Sequence, residues 1–240
     1  MKLKLSRKNE KLITDNVKEL SMVEGNLMSA IEAQKAKRAQ QINSDTQEIP
    51  SEPQSLSIYI TSCFNLEGKT TSALSMAYAL TVNNMKRVLL IDGNPRAPKL
   101  HEHFETGIAP GLMDWFKSEE MNRAAIVRET EYSNLFLMTF GNVADQRPDL
   151  FTSEFKEKFE SLKQSFDYII FDGNSMLDSS NPALLAKNFD GIVITVSSEK
   201  TKWEVVQQAI EKVQNLEGIV LGVILNNRKY YLPNNFDGRM

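Results

Sequence analysis

Short apolar runs alternate with longer, more polar stretches through most of the chain. The runs are rich in β-branched and aliphatic residues, and they cover residues 57–61, 87–92, 135–139, 168–172, 191–196 and 219–226. Apolar runs separated by helix-favouring stretches predict strands that are joined by crossover helices. Because each run is apolar at successive positions, helices should cover both faces of the sheet. The pattern therefore predicts an α/β fold, a three-layer doubly wound parallel sheet.

The chain before these runs follows a different pattern. An apolar stripe at three- and four-residue steps predicts an amphipathic helix within residues 10–41, and the stripe consists of Leu20, Val23, Leu27 and Ile31. The next segment, NSDTQEIPSEPQS, is polar and contains two prolines, which favours a linker. We therefore expect an N-terminal helical arm (residues 1–42), a linker (residues 43–56) and a main domain (residues 57–240).

Composition and charge narrow the class of protein. The chain has 240 residues, of which 41% are hydrophobic and 25% charged, as in ordinary soluble globular proteins. Its longest apolar blocks, such as residues 88–91, are far shorter than the roughly 18–20 residues that span a bilayer. The single cysteine, Cys63, excludes an internal disulfide and favours a reducing, cytosolic setting.

Charge is distributed unevenly between the arm and the rest of the chain. Residues 1–40 contain nine Lys or Arg and five Asp or Glu, a net charge of +4. Because the whole chain has a net charge of −3, the remaining residues carry −7. Such an arm could lie on an anionic lipid surface or an acidic partner, and it could equally be a solvated basic tail. The acidic remainder gives no support for nucleic-acid binding.

The strongest chemical signal follows the first strand of the main domain. There the chain reads SCFNLEGKTT (residues 62–71) and then continues into a helix-favouring segment. A loop that ends in Gly-Lys-Thr between a strand and a helix is typical of a phosphate-binding P-loop. Its backbone N–H groups surround the phosphates, the lysine contacts the β- and γ-phosphates and the hydroxyl binds Mg²⁺. Cys63 replaces the first glycine of the generic motif, so a chance Gly-Lys-Thr is the competing interpretation.

Two of the predicted strands end in a single aspartate. Asp92 follows VLLI, and Asp172 follows YIIF. Both lie at the carboxyl edge of the predicted sheet, where open α/β folds bind their ligands. Either aspartate alone could be the N-cap of the next helix instead. Beside a P-loop, both become candidates for binding Mg²⁺ and orienting water.

These motifs together resemble the bacterial tyrosine kinases of capsule and exopolysaccharide assembly, a deviant P-loop branch related to the MinD/ParA ATPases. The resemblance extends from about Ser57 to Pro233. Its most specific element is VLLIDGNPRAPKLH (residues 88–101), which is similar to the second acidic motif of the family, aspartate-x-aspartate-x-arginine. Further matches are residues 147–150, 166–172, 200–206 and 221–233.

The resemblance implies ATP or ADP and Mg²⁺ as cofactors, and an ATP-dependent protein-tyrosine kinase or weak ATPase as the activity. It implies Lys69 and Asp92 as catalytic residues, with Asp92 as general base or metal ligand. The implied metal-binding residues are Thr70, Asp92 and Asp172. The implied nucleotide-binding loop consists of Asn65, Leu66, Glu67, Gly68, Lys69, Thr70 and Thr71.

The resemblance also implies partners and a location. A membrane polysaccharide co-polymerase or another export subunit would hold the protein at the inner face of the cell membrane, in the cytoplasm. A homo-oligomer is a second possible assembly. The family's oligomerisation helix carries two arginines that are absent after Glu24, and its terminal tyrosine cluster is reduced to Tyr230 and Tyr231.

Two departures fall in the predicted site itself. The family usually reads proline-glycine-glutamate-glycine-lysine where this chain has Asn65 and Leu66 before Glu67, and Asn94 replaces the second aspartate of the acidic motif. Phosphoryl transfer depends on positioning and charge, so both changes act on the rate. A degenerate kinase and a non-catalytic assembly adaptor are therefore both hypotheses that the sequence allows. So is a MinD/ParA-like ATPase, although Phe64 stands where its signature lysine is expected.

Overall fold

A computed structural model describes residues 2–6, 10, 29, 55–84, 86–118, 121–142, 152–178 and 181–228. Its strands are β1 (Leu56–Ser62), β2 (Val88–Asp92), β3 (Arg128–Glu129), β4 (Leu135–Met138), β5 (Tyr168–Asp172), β6 (Gly191–Ser197) and β7 (Val220–Asn226). Its helices are α1 (Lys69–Asn84), α2 (Leu100–His103), α3 (Leu112–Lys117), α4 (Arg123–Ile126), α5 (Ser153–Lys163), α6 (Asn181–Ala186) and α7 (Trp203–Gln214). None of these helices is long and apolar enough to cross a bilayer.

The strands form one sheet in the order β3-β4-β2-β5-β1-β6-β7. All neighbouring strands are parallel except the pair β3 and β4, which is antiparallel. The predicted α/β class is confirmed, and each of the six predicted strands is present to within two residues. The sequence pattern missed β3 because Arg128 and Glu129 are both charged and offer no apolar run.

The sheet is the middle of three layers because its strands alternate their side chains between two apolar faces. In β1, Ile58 and Ile60 enter one core while Tyr59 enters the other. Helices α1 and α2 cover the face of Ile58, and helices α3, α5, α6 and α7 cover the face of Tyr59. This double cover explains why the central strands carry apolar residues on both faces.

Strand order places the two predicted acidic positions side by side. Strand β5 lies between β2 and β1, and Asp172 is in register with Asp92 on one side and with Ile60 on the other. The loop after β1 leaves the same carboxyl edge and leads into α1. Three chain segments with functional signals therefore meet at one edge of the sheet.

The arm contacts the domain through its first residues. Leu3 pairs with Thr130 beside β3, and Leu5 is buried against the α1 face of the sheet. The Leu20 stripe, the linker to Gln54, residues 147–150 and the tyrosines at 230 and 231 all lie outside the described residues. The division into arm, linker and domain therefore stays a prediction.

Candidate nucleotide-binding site

The P-loop uses left-handed backbone at two positions. Gly68 has φ +95°, a conformation that L side chains rarely adopt, and a Cβ atom there would clash with the side chain of Asn226, so that glycine is favoured. Leu66 has φ 65° and its side chain is 95% exposed. The leucine therefore adopts a left-handed backbone conformation that favours glycine, and it points into solvent, so it does not fill the loop.

The buried residue Glu67 connects the loop to neighbouring parts of the fold. One carboxylate oxygen of Glu67 accepts from the backbone N–H of Phe64 at 2.8 Å, and the other accepts from the Thr201 hydroxyl. The carbonyl of Glu67 accepts from Asn226 Nδ2 at 2.9 Å. The N–H groups of residues 65–68 donate to no acceptor in the described parts of the chain. Unpaired backbone N–H groups ahead of a helix N-terminus are the donors that phosphate oxygens bind.

Lys69 begins α1 and is buried, with only 6% of its surface exposed. Its Nζ donates to Ser175 Oγ at 3.3 Å. Burial lowers the pKa of Lys69, and the negative charges of Asp172, Asp178 and Glu67 oppose that change. The ammonium group is thus held near the phosphate loop by surrounding carboxylates.

Asp172 is completely buried, yet neither of its carboxylate oxygens has a hydrogen-bond partner among the described residues. Burial raises its pKa to about 7, and the nearby charge of Asp92 adds to the rise. Lys69 and the Thr70 hydroxyl oppose the rise, although Thr70 is not in the geometry of a full hydrogen bond. A buried carboxylate without a partner is costly. Together with the Thr70 hydroxyl it fits Mg²⁺, which prefers oxygen ligands and retains waters and phosphates.

Asp92 is equally buried, but both of its carboxylate oxygens have hydrogen-bond partners. One accepts from the N–H groups of Lys99 and Leu100, both at 2.9 Å, and the other accepts from Asn94 at 3.3 Å. Asp92 thus binds the first backbone amides of α2 from outside the helix, whereas the N-cap position itself is Lys99. Burial raises its pKa to about 6, and the three backbone bonds oppose the rise. Its role as general base or metal ligand stays a prediction.

Asn94 shapes the turn after β2. Its Oδ1 accepts from the backbone N–H groups of Arg96 and Ala97 at 3.2 and 3.3 Å. Only 6% of Asn94 is exposed. The amide oxygen serves the local turn, a role that either an asparagine or an aspartate can perform.

Sequence reasoning missed three residues that the fold brings to this site: Ser175, Asp178 and Asn226. The first two follow β5, where a loop after an acidic strand end was the available signal. Asn226 ends β7, and no motif connects it with the P-loop almost 160 positions earlier. Cys63 is buried in the core, and burial raises its pKa to about 12.

Comparisons with known proteins agree with this geometry. A domain family described as AAA domain (AAA_31) matches residues 66–221. The chain is 31% identical over 175 residues to the tyrosine-protein kinase YwqD of Bacillus subtilis (strain 168), covering 72% of this chain and 73% of the relative. It is also 31% identical over 169 residues to the tyrosine-protein kinase CpsD of Streptococcus agalactiae, covering 70% and 73%.

A solved structure, the kinase domain of VpsO, superposes with a TM-score of 0.67 at 26% identity and covers 86% of this chain and 98% of that domain. These relatives do not favour the MinD/ParA alternative, since all three are described as kinases. With at least 70% of its length aligned at 31% identity to two tyrosine-protein kinases, the chain belongs to the bacterial tyrosine kinase family and, through it, to the nucleotide-binding P-loop proteins.

Proposed function

We propose that this protein binds ATP and ADP together with Mg²⁺ and transfers the terminal phosphoryl group to tyrosine. The observation that carries the proposal is the fully buried carboxylate of Asp172 beside the phosphate loop, which has no hydrogen-bond partner among the described residues. A fold rarely keeps such a group unless a cation or proton joins it in the working state. The P-loop supplies the matching anion site on the other side of that position.

We assign the following roles to the residues of the site. The free N–H groups of residues 65–68 bind the phosphates, and Lys69 exchanges its bond to Ser175 for phosphate oxygens. Thr70 and Asp172 hold Mg²⁺, which when bound neutralises charge on the phosphates. Thr71, in the first turn of α1, continues the phosphate-binding loop. These groups together provide positioning and charge stabilisation, which are the main requirements of phosphoryl transfer.

For Asp92 we propose a general-base or metal-binding role only in a state in which its backbone hydrogen bonds have opened. Its oxygens already accept from the N–H groups of Asn94, Lys99 and Leu100, and these bonds compete with a substrate proton or a metal ion. A nucleotide or a tyrosine substrate that moves α2 would release the carboxylate. Catalysis would then be coupled to movement of that helix.

A non-catalytic assembly adaptor is the second candidate. The specific observation in its favour is Asn94, whose amide serves the turn and brings no charge to the metal region. In either case we propose a membrane polysaccharide co-polymerase or another export subunit as the partner, at the inner face of the membrane. The net charge of +4 on residues 1–40 supports attraction to such an anionic surface.

Calorimetric titration of ATP and ADP, with and without Mg²⁺, tests the nucleotide site. We expect Lys69→Ala to lower affinity for both nucleotides by at least about tenfold, because a buried charge-assisted contact is lost. The control Lys187→Ala removes an exposed lysine from the loop before β6, at the opposite edge of the sheet. Unchanged affinity in Lys69→Ala would refute the site. A phosphotyrosine blot of the native protein with ATP then separates the kinase from the adaptor.

A further inference from the structure

A chain of polar contacts crosses from the P-loop to the loop that follows β5. Lys69 Nζ donates to Ser175 Oγ at 3.3 Å, and Ser175 Oγ donates to Asn65 Oδ1 at 2.9 Å. Asn65 Nδ2 in turn donates to Asp178 Oδ2 at 2.7 Å. Arg96, in the loop after β2, places its Nη1 3.9 Å from the same oxygen of Asp178. One carboxylate therefore connects three loops at the carboxyl edge of the sheet.

The surroundings of Asp178 are those of a bound phosphate oxygen. An amide N–H, a guanidinium group and a nearby ammonium group are the donors that proteins use for phosphate. The charge of Asp178 reaches into the P-loop, because it opposes the lowering of the Lys69 pKa. Both partners in the ion pair are reachable from solvent, with 53% of the Arg96 side chain and 23% of the Asp178 side chain exposed. A soluble anion can therefore compete with the carboxylate for these donors.

We infer that Asp178 is a built-in competitor for the terminal phosphate of ATP. Binding of a triphosphate displaces the carboxylate from Asn65 and Arg96, and these two side chains then donate to the terminal phosphate. ADP lacks that group and leaves the carboxylate in place. The inference rests on the proposed nucleotide-binding function and adds to it the residues that distinguish ATP from ADP.

The chain of contacts between the P-loop and Asp178 depends on Asn65, which is not the residue that the family usually has at this position. The proline that the family usually carries at this position has no side-chain N–H to donate and no side-chain oxygen to accept from Ser175. Asn65 does both, with Asp178 and Ser175 respectively. The displaced Asp178 lies three residues before α6, so exchange of ADP for ATP would also be transmitted to that segment.

The test is calorimetric titration of Mg-ATP and Mg-ADP with the native protein and with Asp178→Asn. The substitution keeps the shape of the side chain and removes its charge. We expect affinity for ATP to rise about three- to tenfold and affinity for ADP to change less than about twofold, as for loss of a competing charged hydrogen bond. Glu160→Gln is the matched control, since it removes one charge from a half-exposed ion pair on α5 with Lys163.

Asn65→Ala, alone and combined with Asp178→Asn, completes a double-mutant cycle. We expect Asn65→Ala to lower affinity for ATP and to remove most of the gain that Asp178→Asn produces. An equal gain for ATP and ADP would overturn the inference, because it would indicate only a general charge effect. A loss of ATP affinity in Asp178→Asn that requires Mg²⁺ would also overturn it, since Asp178 would then be a metal ligand. If the native protein bound neither nucleotide, the proposed function itself would fail.

Discussion

Asp92 and Asp172 end neighbouring parallel strands, lie opposite each other in register and are both fully buried, yet their environments are opposite. Asp92 accepts three backbone hydrogen bonds, whereas Asp172 accepts none from the described residues. The cause is the chain that follows each strand. After β2 it returns over its own strand end, so that the amides of Lys99 and Leu100 point at Asp92.

After β5 the amides are used elsewhere. Gly173 donates to the carbonyl of Ile60 at 2.9 Å, and Asn174 donates to the Tyr59 hydroxyl at 3.1 Å. Both acceptors belong to β1, the neighbouring strand, and no N–H group of the described residues 173–178 donates to the Asp172 carboxylate. Two similar sequence motifs therefore have different surroundings: one carboxylate accepts the first amides of a helix, and the other has no hydrogen-bond partner among the described residues.

The largest expected effect comes from Asp172→Asn. We expect the Mg²⁺ dependence of nucleotide affinity to disappear and phosphoryl transfer to fall by roughly 10²-fold or more, because charge stabilisation at the phosphates is lost. The metal-free protein should become more stable by about 1–3 kcal/mol at pH 8, since a buried, unpartnered charge is removed. Titration with and without Mg²⁺ and thermal unfolding measure the two effects. Retained Mg²⁺ dependence would show that Asp172 is not the carboxylate that binds Mg²⁺.

Asp92→Asn should have the reverse signature. We expect it to destabilise the fold by about 1–3 kcal/mol, because the new amide N–H₂ group faces backbone donors that lose their acceptor. The Mg²⁺ dependence of nucleotide affinity should change little. Urea unfolding at neutral pH gives the free energy, and the same calorimetric titration provides the comparison with Asp172→Asn. A loss of Mg²⁺ dependence without loss of stability would make Asp92 the metal ligand.

The pH dependence of stability sharpens the same contrast. Burial raises the pKa of Asp172 to about 7, above its ordinary value of 3.8, so the folded state favours the protonated carboxyl. The cost of the buried charge is complete above pH 7 and decreases as the pH falls through that value. We therefore expect the native protein to gain up to about 1 kcal/mol relative to Asp172→Asn between pH 8 and pH 6. Parallel stability curves for the two proteins would contradict the raised pKa.

Asn94→Asp is expected to have the smallest effect. An aspartate keeps the oxygen that accepts from Arg96 and Ala97, so the turn should persist. The added charge near Asp92 should strengthen the Mg²⁺ dependence of nucleotide binding by about two- to fivefold at most. The effect is small because we assign the metal to Asp172 and Thr70, and residue 94 would act on it only through the longer-range charge interaction. Combination with Leu66→Gly tests whether turnover rises further. If metal dependence and turnover both stay unchanged, the adaptor is the better description.

The sequence by itself determined the layers of this protein and the location of the phosphate loop. Apolar runs are local signals, so six strands could be predicted, and Gly68-Lys69-Thr70 could be identified between a strand and a helix. It also indicated that aspartates at strand ends are either caps or ligands. These features depend on residues close together in the chain, where spacing is sufficient information.

Only the tertiary structure decided which of the two aspartates has backbone hydrogen-bond partners among the described residues. The partners of Asp92 follow it by two, seven and eight residues, but the lack of a hydrogen-bond partner for Asp172 among the described residues depends on β1, more than a hundred residues earlier. The same holds for Asn226 against Glu67 and for Asp178 against Asn65. Whether a buried polar group is satisfied depends on where distant backbone and side-chain donors point, and the packing of separate segments sets those directions.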